Sequence, residues 1–273
     1  MIKTQIFYFS GTGNSLYVAK ELQKRLPQST LISINTILDL HEIKSEGDFV
    51  GFVFPIHAFT LPIPVKKFLE ALNLESASYV FAVATRGGSP CNVFLDINKI
   101  LKGKGKALNS SFFVDMPNNF THIVETPNKV SIDNLNTKAI EKLEMIKDII
   151  VNNKKYEEND TNKAWLRRNI IFPLLSTIIS KTSYFNTEKK FYVDSNCSEC
   201  GICSKICLSN KISIRNNKPY WRDDISCIYC FACINYCPCR SIQIRRTKSH
   251  IKGRYHHPEI NINDIEVQKN NCE

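Results

Sequence analysis

The first 150 residues alternate short apolar runs with longer amphipathic stretches. The apolar runs are rich in β-branched and aromatic residues and predict strands at Thr4–Phe9, Thr30–Ile34, Phe49–Phe54, Tyr79–Ala84 and Phe112–Asp115. Helical spacing of apolar positions predicts helices at Leu16–Leu26, Val65–Leu72, Val93–Leu101 and Ile132–Val151. Strands that alternate with helices indicate an α/β fold, here a doubly wound parallel sheet of five strands with helices on both faces.

The pattern changes after residue 152. Asn152 to Asn162 is polar and predicts a linker or an exposed turn, whereas Trp165–Thr182 is basic, apolar and helical, with a kink near Pro173. We expect this segment to pack one domain against another, and a membrane surface is the alternative. The predicted domains are 1–152, a helical connector at 153–190, a cysteine-rich α+β domain at 191–246 and a tail at 247–273.

A glycine-rich loop joins the first predicted strand to the first helix. Its hydroxyls and close backbone amides predict an anion site, which consists of Ser10, Gly11, Thr12, Gly13, Asn14 and Ser15. A P-loop would need a lysine that is absent here, and Leu16 occupies the place of the third small residue of a dinucleotide fingerprint. A plain tight turn is the other interpretation.

The loop resembles the phosphate loop of flavodoxins, [S/T]-x-T-G-x-[S/T], and follows the first strand as in that family. The resemblance implies flavin mononucleotide (FMN), strand order 2-1-3-4-5, and two further flavin loops. These contain Pro55, Ile56, His57, Ala58 and Phe59, and then Thr85, Arg86, Gly87 and Gly88. We expect His57 or Phe59 to stack on the flavin ring; otherwise Phe59 packs under the next helix and His57 is solvated. The second of these loops lacks an aromatic residue, so one face of the ring has no predicted cover.

Two cysteine runs dominate the last third of the chain, each with the spacing C-x2-C-x2-C-x3-C. They contain Cys197, Cys200, Cys203 and Cys207, and then Cys227, Cys230, Cys233 and Cys237. Four soft thiolates converging on a small volume suit an iron–sulfur cubane, so we predict two 4Fe-4S clusters. Paired structural zinc sites and a disulfide framework are the alternatives, although three consecutive gaps of two residues fit zinc poorly.

The runs resemble bacterial-type ferredoxins, and Pro238 follows the second run as that pattern expects, whereas Leu208 follows the first. The resemblance implies crossed ligation, in which the fourth cysteine of each run serves the other cluster. One cluster would then be held by Cys197, Cys200, Cys203 and Cys237. The other would be held by Cys207, Cys227, Cys230 and Cys233.

The cysteine count and the net charge indicate the cellular compartment and the class of partner. Besides the eight predicted ligands, the 11 cysteines include Cys91, Cys239 and Cys272, and this odd remainder indicates a reducing, cytoplasmic location. The net charge of +10 partly balances anionic cofactors and favours acidic protein partners. No nucleic-acid motif is present, and the longest apolar run is too short to span a bilayer.

Taken together, the chain resembles the fused flavodoxin–ferredoxin proteins of anaerobes. That resemblance implies electron transfer between two 4Fe-4S clusters and FMN, with a redox protein as partner. An FMN-dependent reductase of a quinone or nitro compound is the second hypothesis, and a cluster-based redox sensor is the third. We expect the cysteine-rich domain to dock near His57–Thr60 and Arg86–Ser89, with a cluster facing the flavin. The direction of electron flow and the oligomeric state stay open.

Overall fold

In the computed structural model, the described residues are 2–87, 92–158 and 187–269, together with 171, 174, 175, 177 and 178. Gly88, Cys91 and Cys272 lie outside them, as does most of Trp165–Thr182. The predictions made for those residues therefore stay predictions. No helix in the described part of the chain is both long enough and apolar enough to cross a membrane.

The first half of the chain forms one parallel sheet covered by helices. Its strands are β1 (Thr4–Tyr8), β2 (Ser29–Ser33), β3 (Phe49–Pro55), β4 (Tyr79–Arg86), β5 (Ser110–Asp115) and β6 (Tyr156–Glu157). Its helices are α1 (Asn14–Arg25), α2 (Ile34–Ile37), α3 (Ile63–Ala71), α4 (Val93–Lys102) and α5 (Lys129–Val151). The strand order β2-β1-β3-β4-β5-β6 confirms the predicted flavodoxin-like fold.

The sheet has a sixth strand that the hydrophobic pattern did not predict. Strand β6 is two residues long and pairs Tyr156 with Ser110 and Glu157 with Ser111 at the edge of the sheet. Both of its residues are exposed, so no apolar alternation marks it in the sequence. The segment that was predicted to be a linker therefore contains an edge strand.

The central strands are buried on both faces, as a doubly covered parallel sheet requires. Phe52 and Phe54 of β3 and Phe81 of β4 have no exposed surface. Because all the strands run the same way, the loops after β1, β3, β4 and β5 meet at one edge of the sheet. This edge is where open α/β sheets bind their ligands.

The cysteine-rich part is a small α+β unit. It starts with a 3-10 helix at Thr187–Lys190 and continues with β7 (Phe191–Val193), α6 (Ile202–Lys205), β8 (Ile212–Arg215), β9 (Lys218–Trp221), α7 (Ala232–Asn235) and β10 (Ile242–Ile244). Strands β7 and β10 pair antiparallel, and so do β8 and β9. Its separate core contains only Phe191, Ile234, Ile242 and Ile244 as buried apolar residues. A core of this size buries little apolar surface, and Ile206, Leu208, Ala232 and Tyr236 of this unit belong to the main core instead.

This unit is an internal repeat. Each cysteine run contains two residues with positive φ, Glu199 and Gly201 in the first run and Tyr229 and Phe231 in the second. A four-residue helix follows each pair, α6 or α7. Phe231 thus occupies, at φ 56°, the left-handed position that Gly201 fills at φ 73°.

The tail packs between the two halves instead of extending into solvent. It contains α8 (Ile262–Glu266), which begins with a capping box between Asn261 and Asp264. Asp264 also forms an ion pair with Lys20 of α1. Ile260 and Ile265 are buried and belong to the main core, so the tail is part of the folded molecule.

Candidate functional site

A cavity of about 560 Å³ lies at the edge where the loops of the parallel sheet meet. Loops of the first half line one wall with Ser10, Gly11, Thr12, Asn14, Ser15, Pro55, Ile56, His57, Ala58, Phe59, Thr85, Arg86, Gly87, Pro117, Asn118, Asn119, Phe120, His122 and Ile123. The cysteine-rich unit lines the other with Thr187, Lys190, Tyr229, Cys230, Phe231, Ile244, Arg245, Arg246 and Thr247. The structure therefore brings the predicted flavin loops together, with the second unit against them.

The phosphate loop is held in place by its own hydroxyls. Ser10 Oγ accepts a hydrogen bond from the Gly13 amide at 3.2 Å, and the hydroxyls of Ser15 and Thr85 form a hydrogen bond at 2.7 Å. Asn14 and Ser15 open helix α1, so their amides have no acceptor within the helix. Amides at a helix N-terminus suit a phosphate, and these two residues line the cavity.

The loop glycines have a structural purpose that the sequence did not suggest. A Cβ on Gly11 would lie 2.5 Å from the carbonyl oxygen of Cys230, so the backbone of the second cysteine run sits directly on this loop. Gly13 has φ 100°, and a Cβ there would lie 2.9 Å from the side chains of His257 and Ile260. Gly13 is absent from the described lining of the cavity, so its close neighbour is the tail.

The two ring loops offer different chemistry. His57 opens partly onto the cavity, its ring lies edge-on to Phe9 at 6.0 Å, and burial lowers the pKa of its imidazole to about 4. His57 is therefore neutral at pH 7, and its buried Nδ1 has no hydrogen-bond partner in the described part of the chain. In the next loop, the Arg86 guanidinium pairs with Asp115 at 2.7 Å and lies over the Phe113 ring.

Aromatic side chains from outside the predicted loops complete the cavity wall. Phe231 of the second unit lies 4.6 Å from His122 and 5.4 Å from Phe120, measured between ring centroids. His122 is only 3% exposed, and burial and the charge of Arg254 lower the pKa of its imidazole to about 4. The second unit thus contributes an aromatic ring to the cavity, whereas the predicted flavin loop that contains Thr85 and Arg86 has none.

Comparison of the two cysteine runs could have identified Phe231 from the sequence. A large side chain in the left-handed region costs about 1–2 kcal/mol, whereas glycine adopts it freely. The first run has Gly201 at this position and the second has Phe231. Strain of this kind concentrates at functional sites, and here the strained side chain lines the cavity.

Asn235 joins the second unit to the loop after β5. Its side chain is buried and donates to Asn119 O, while its Oδ1 accepts from Thr121 Oγ1 at 2.9 Å and from the Tyr255 amide at 3.0 Å. Asn119 in turn donates to Thr12 Oγ1. A hydrogen-bonded path therefore runs from helix α7, next to Cys233, to the phosphate loop.

The tail supports the phosphate loop from behind. Tyr255 Oη donates to Asn14 Oδ1 at 2.9 Å, and the His257 amide donates to Thr12 O at 2.8 Å. The Gln268 side chain accepts from the Ser10 amide and donates to Ser10 O, both at 3.0 Å. The tail therefore helps set the shape of the predicted anion site.

His257 should make the fold sensitive to acid. It stacks on Tyr17 at 4.0 Å, and burial lowers its imidazole pKa to about 4, below the unfolded value near 6.5. The unfolded chain then binds more protons between these values, so stability is lost as the pH falls from about 7 towards 4. We expect His257→Phe to remove roughly 1–2 kcal/mol of the loss between pH 7 and pH 5.

The measurement is anaerobic thermal unfolding of the parent protein and His257→Phe at both pH values. Acid lability common to both proteins cancels in the difference between them. His250→Phe is the control, because His250 is exposed. An equal loss of stability in the parent and His257→Phe would contradict the assignment.

The first predicted set of cysteines surrounds a small cavity of its own. Cys197, Cys200, Cys203 and Cys237 line it, with Cys239 beside them. Burial, together with negative charge on Cys237, Cys200 and Cys197, raises the pKa of the Cys203 thiol to about 11. The Ser241 amide donates to Cys237 Sγ at 3.3 Å. These four thiols thus form one group, although Cys237 is 34 residues beyond Cys203 in the chain.

The second predicted set is more deeply buried. Burial is the largest cause of a raised thiol pKa in Cys227 and Cys233, and in Cys230, where the pKa is about 12; negative charge on Cys207 contributes to all three shifts. Cys207 therefore lies beside Cys227, Cys230 and Cys233. The Tyr229 amide donates to Cys227 Sγ at 3.4 Å, a contact that would stabilise a thiolate.

Among the residues that the structure describes, no three His, Cys, Asp or Glu side chains lie close enough to hold one metal ion. The thiolates of a cubane bind separate irons at the corners of the cluster, so they stay further apart than the ligands of one ion. This finding therefore bears on a single zinc ion and not on a four-iron cluster.

No family model and no curated protein matches the chain. It is similar to an FMN-dependent NADH-azoreductase from Bacillus anthracis in complex with FMN, at 11% identity and TM-score 0.39, over 55% of this chain and 99% of that one. It is similar to a flavodoxin from the domain Archaea at 15% identity and TM-score 0.35, over 54% of this chain and 99% of that one. It is also similar to two-electron reduced flavodoxin from Megasphaera elsdenii at 16% identity and TM-score 0.32, over 51% of this chain and 98% of that one. The flavodoxin-like fold of this chain is established by its strand order and register.

Proposed function

We propose that this chain is an electron-transfer protein that binds FMN in the large cavity and a 4Fe-4S cluster at each cysteine group. The observation that carries the proposal is the contact of Gly11 with Cys230. The same short stretch of structure belongs to the phosphate loop on one side and to the second cysteine group on the other. Two cofactors held there would be close enough to exchange electrons within one molecule.

The described residues suit FMN. The helix α1 amides and the hydroxyls of Ser10, Thr12 and Ser15 would hold the phosphate, while the loops after β3 and β4 would hold the ring. On the remaining face Phe231 offers an aromatic surface. His57 and His122 stay neutral at pH 7, so each imidazole can donate or accept a hydrogen bond to the flavin without adding charge to the site.

The cysteine groups suit cubane clusters. All eight cysteines are free thiols, and burial holds the pKa of several above neutral pH, so bound iron would be needed to keep them as thiolates. Cubane clusters supply one-electron chemistry, and FMN supplies both one-electron and two-electron chemistry. The four cysteines of the second group are partly buried, whereas Cys200 of the first group is exposed.

Burial also suggests an order for the two cysteine groups. The group with Cys200 lies nearer the surface, while the group with Cys230 lines the flavin cavity. A redox protein would therefore dock at the first group. The net charge of +10 favours an acidic partner, and a cytoplasmic location follows from the reduced thiols.

An FMN-dependent reductase is the second candidate. The cavity reaches beyond the flavin loops to Lys190 and Arg245 of the second unit, which leaves a wall for a small molecule. In that case the same cofactors would serve a bound substrate instead of a second protein.

Anaerobic rapid mixing tests the proposal. Purified holoprotein should contain about eight iron atoms and one FMN per chain. After rapid reduction, we expect electron exchange between clusters and flavin to be first-order, with a rate that is unchanged over a roughly tenfold range of protein concentration. A rate proportional to concentration would mean that electrons pass between molecules, and loss of the flavin or of the iron during gentle purification would reject the cofactors.

A further inference from the structure

The large cavity carries more positive charge than its phosphate loop explains. Its described lining contains Arg86, Lys190, Arg245 and Arg246 and no Asp or Glu. Asp115 pairs with Arg86. For the other three cations, no ion pair with a carboxylate is found in the part of the chain that the structure describes.

These three cations belong to one place in the second unit. The start of β7 and the end of β10 lie side by side, and the Arg245 amide donates to Lys190 O at 2.9 Å. The Arg245 guanidinium lies over the Tyr192 ring at 4.9 Å, and Arg246 follows with φ 62°. We call Lys190, Arg245 and Arg246 the cation wall. It belongs to the second unit, whereas the predicted phosphate site belongs to the first.

A second observation points to a ligand at the same cavity. His122 is 97% buried and lines the cavity, and its Nδ1 has no hydrogen-bond partner among the described residues. A buried polar atom without a partner costs about 1–3 kcal/mol unless a ligand or water satisfies it. Phe231 and Phe120 beside it add flat apolar surface. Together they offer a hydrogen bond and an aromatic surface close to positive charge.

The segment that precedes the second unit carries little negative charge to offer the cation wall. Residues 159–186 contain one carboxylate, Asp160, against Lys163, Arg167, Arg168 and Lys181. Arg245 and Arg246 are exposed, so solvent ions screen part of their charge, and a bound anion would replace those ions. An organic anion would gain more than a free ion because it also covers apolar surface.

We propose that the cation wall, His122 and Phe231 form a subsite for a small organic anion with a planar apolar body, next to the FMN site. This inference rests on the proposed FMN site and assigns a chemical class to the small molecule that would exchange electrons there. The carboxylate or phosphate group lies against Lys190 and Arg245. The planar body lies against Phe231, where it can accept or donate a hydrogen bond at His122.

Benzoate titration of the anaerobic holoprotein tests this subsite, with flavin absorbance as the readout. Benzyl alcohol has the same ring without the charge. We expect benzoate to shift the flavin spectrum with a Kd at least tenfold lower than that of benzyl alcohol, and to bind more weakly in high salt. Lys190→Gln and Arg245→Gln should each weaken benzoate binding about tenfold, without changing iron content or FMN retention. Lys189→Gln is the matched control, because Lys189 is exposed and does not line the cavity.

The outcomes separate this inference from the proposed function. Protein that cannot retain FMN would reject the function and the subsite before benzoate is added. Protein that retains FMN but binds benzoate no better than benzyl alcohol would overturn the subsite alone. If Lys190→Gln and Arg245→Gln release FMN, the cation wall holds the flavin phosphate and the subsite is wrong. Arg246→Gln gives a third test if either variant lacks iron.

Discussion

Replacement of Cys207 by alanine should remove the cluster formed with Cys227, Cys230 and Cys233, and leave the cluster of its own run in place. The reason is the placement of the thiols, since negative charge on Cys207 raises the thiol pKa of all three partners. We expect iron to fall from about eight to about four atoms per chain. Electron paramagnetic resonance of the reduced variant should then show the signal of a single cluster, without the magnetic coupling that two reduced clusters produce.

Cys237→Ala is the reciprocal test. Cys237 lines the cavity of Cys197, Cys200 and Cys203, so this variant should lose that cluster instead. Because the second group lies against the phosphate loop, only Cys207→Ala should also slow electron exchange with the flavin. Cys239→Ala should keep both clusters if Cys239 is merely a neighbour. Loss of the same cluster in the Cys207 and Cys237 variants would reject crossed ligation.

The sequence predicted the elements of the first domain well because their signals are local. Buried parallel strands have continuous apolar runs, so β3 and β4 were found within one or two residues of their bounds. Strand β6 was missed because its two residues are exposed and its pairing depends on β5. An edge strand held by backbone hydrogen bonds leaves no hydrophobic pattern in the sequence.

The site was predicted only as far as single motifs reach. Loop chemistry predicts Ser10 to Ser15, and cysteine spacing predicts the eight thiols. Phe231, His122 and Lys190 were missed because each lines the cavity through contacts between distant parts of the chain. Residues 247–273 were predicted only as a tail, and the burial of His257 could not be deduced from two adjacent histidines. Contacts of this kind follow from domain packing, which periodicity does not encode.

Gly11→Ala should separate the two halves of the protein at the contact where electrons would cross. The new Cβ would lie 2.5 Å from Cys230 O and 2.8 Å from Cys230 Cβ, and real Cβ contacts of this length do not occur. Because backbone atoms cannot turn away as a side chain can, the second cysteine run must move. Overpacking of this kind typically costs about 1–3 kcal/mol, and we expect electron exchange between clusters and flavin to slow at least tenfold.

Gly103→Ala is the matched control, since a Cβ there meets only Ile100 O at 3.4 Å. Exchange rates, FMN affinity and iron content should be measured together for both variants. Slower exchange with FMN and iron retained would locate the effect in the contact between the halves. Weaker FMN binding alone would mean that Gly11 serves the phosphate site and that the second unit moves aside without affecting electron exchange. An unchanged rate in Gly11→Ala would show that the close approach to Cys230 is not needed for electron exchange.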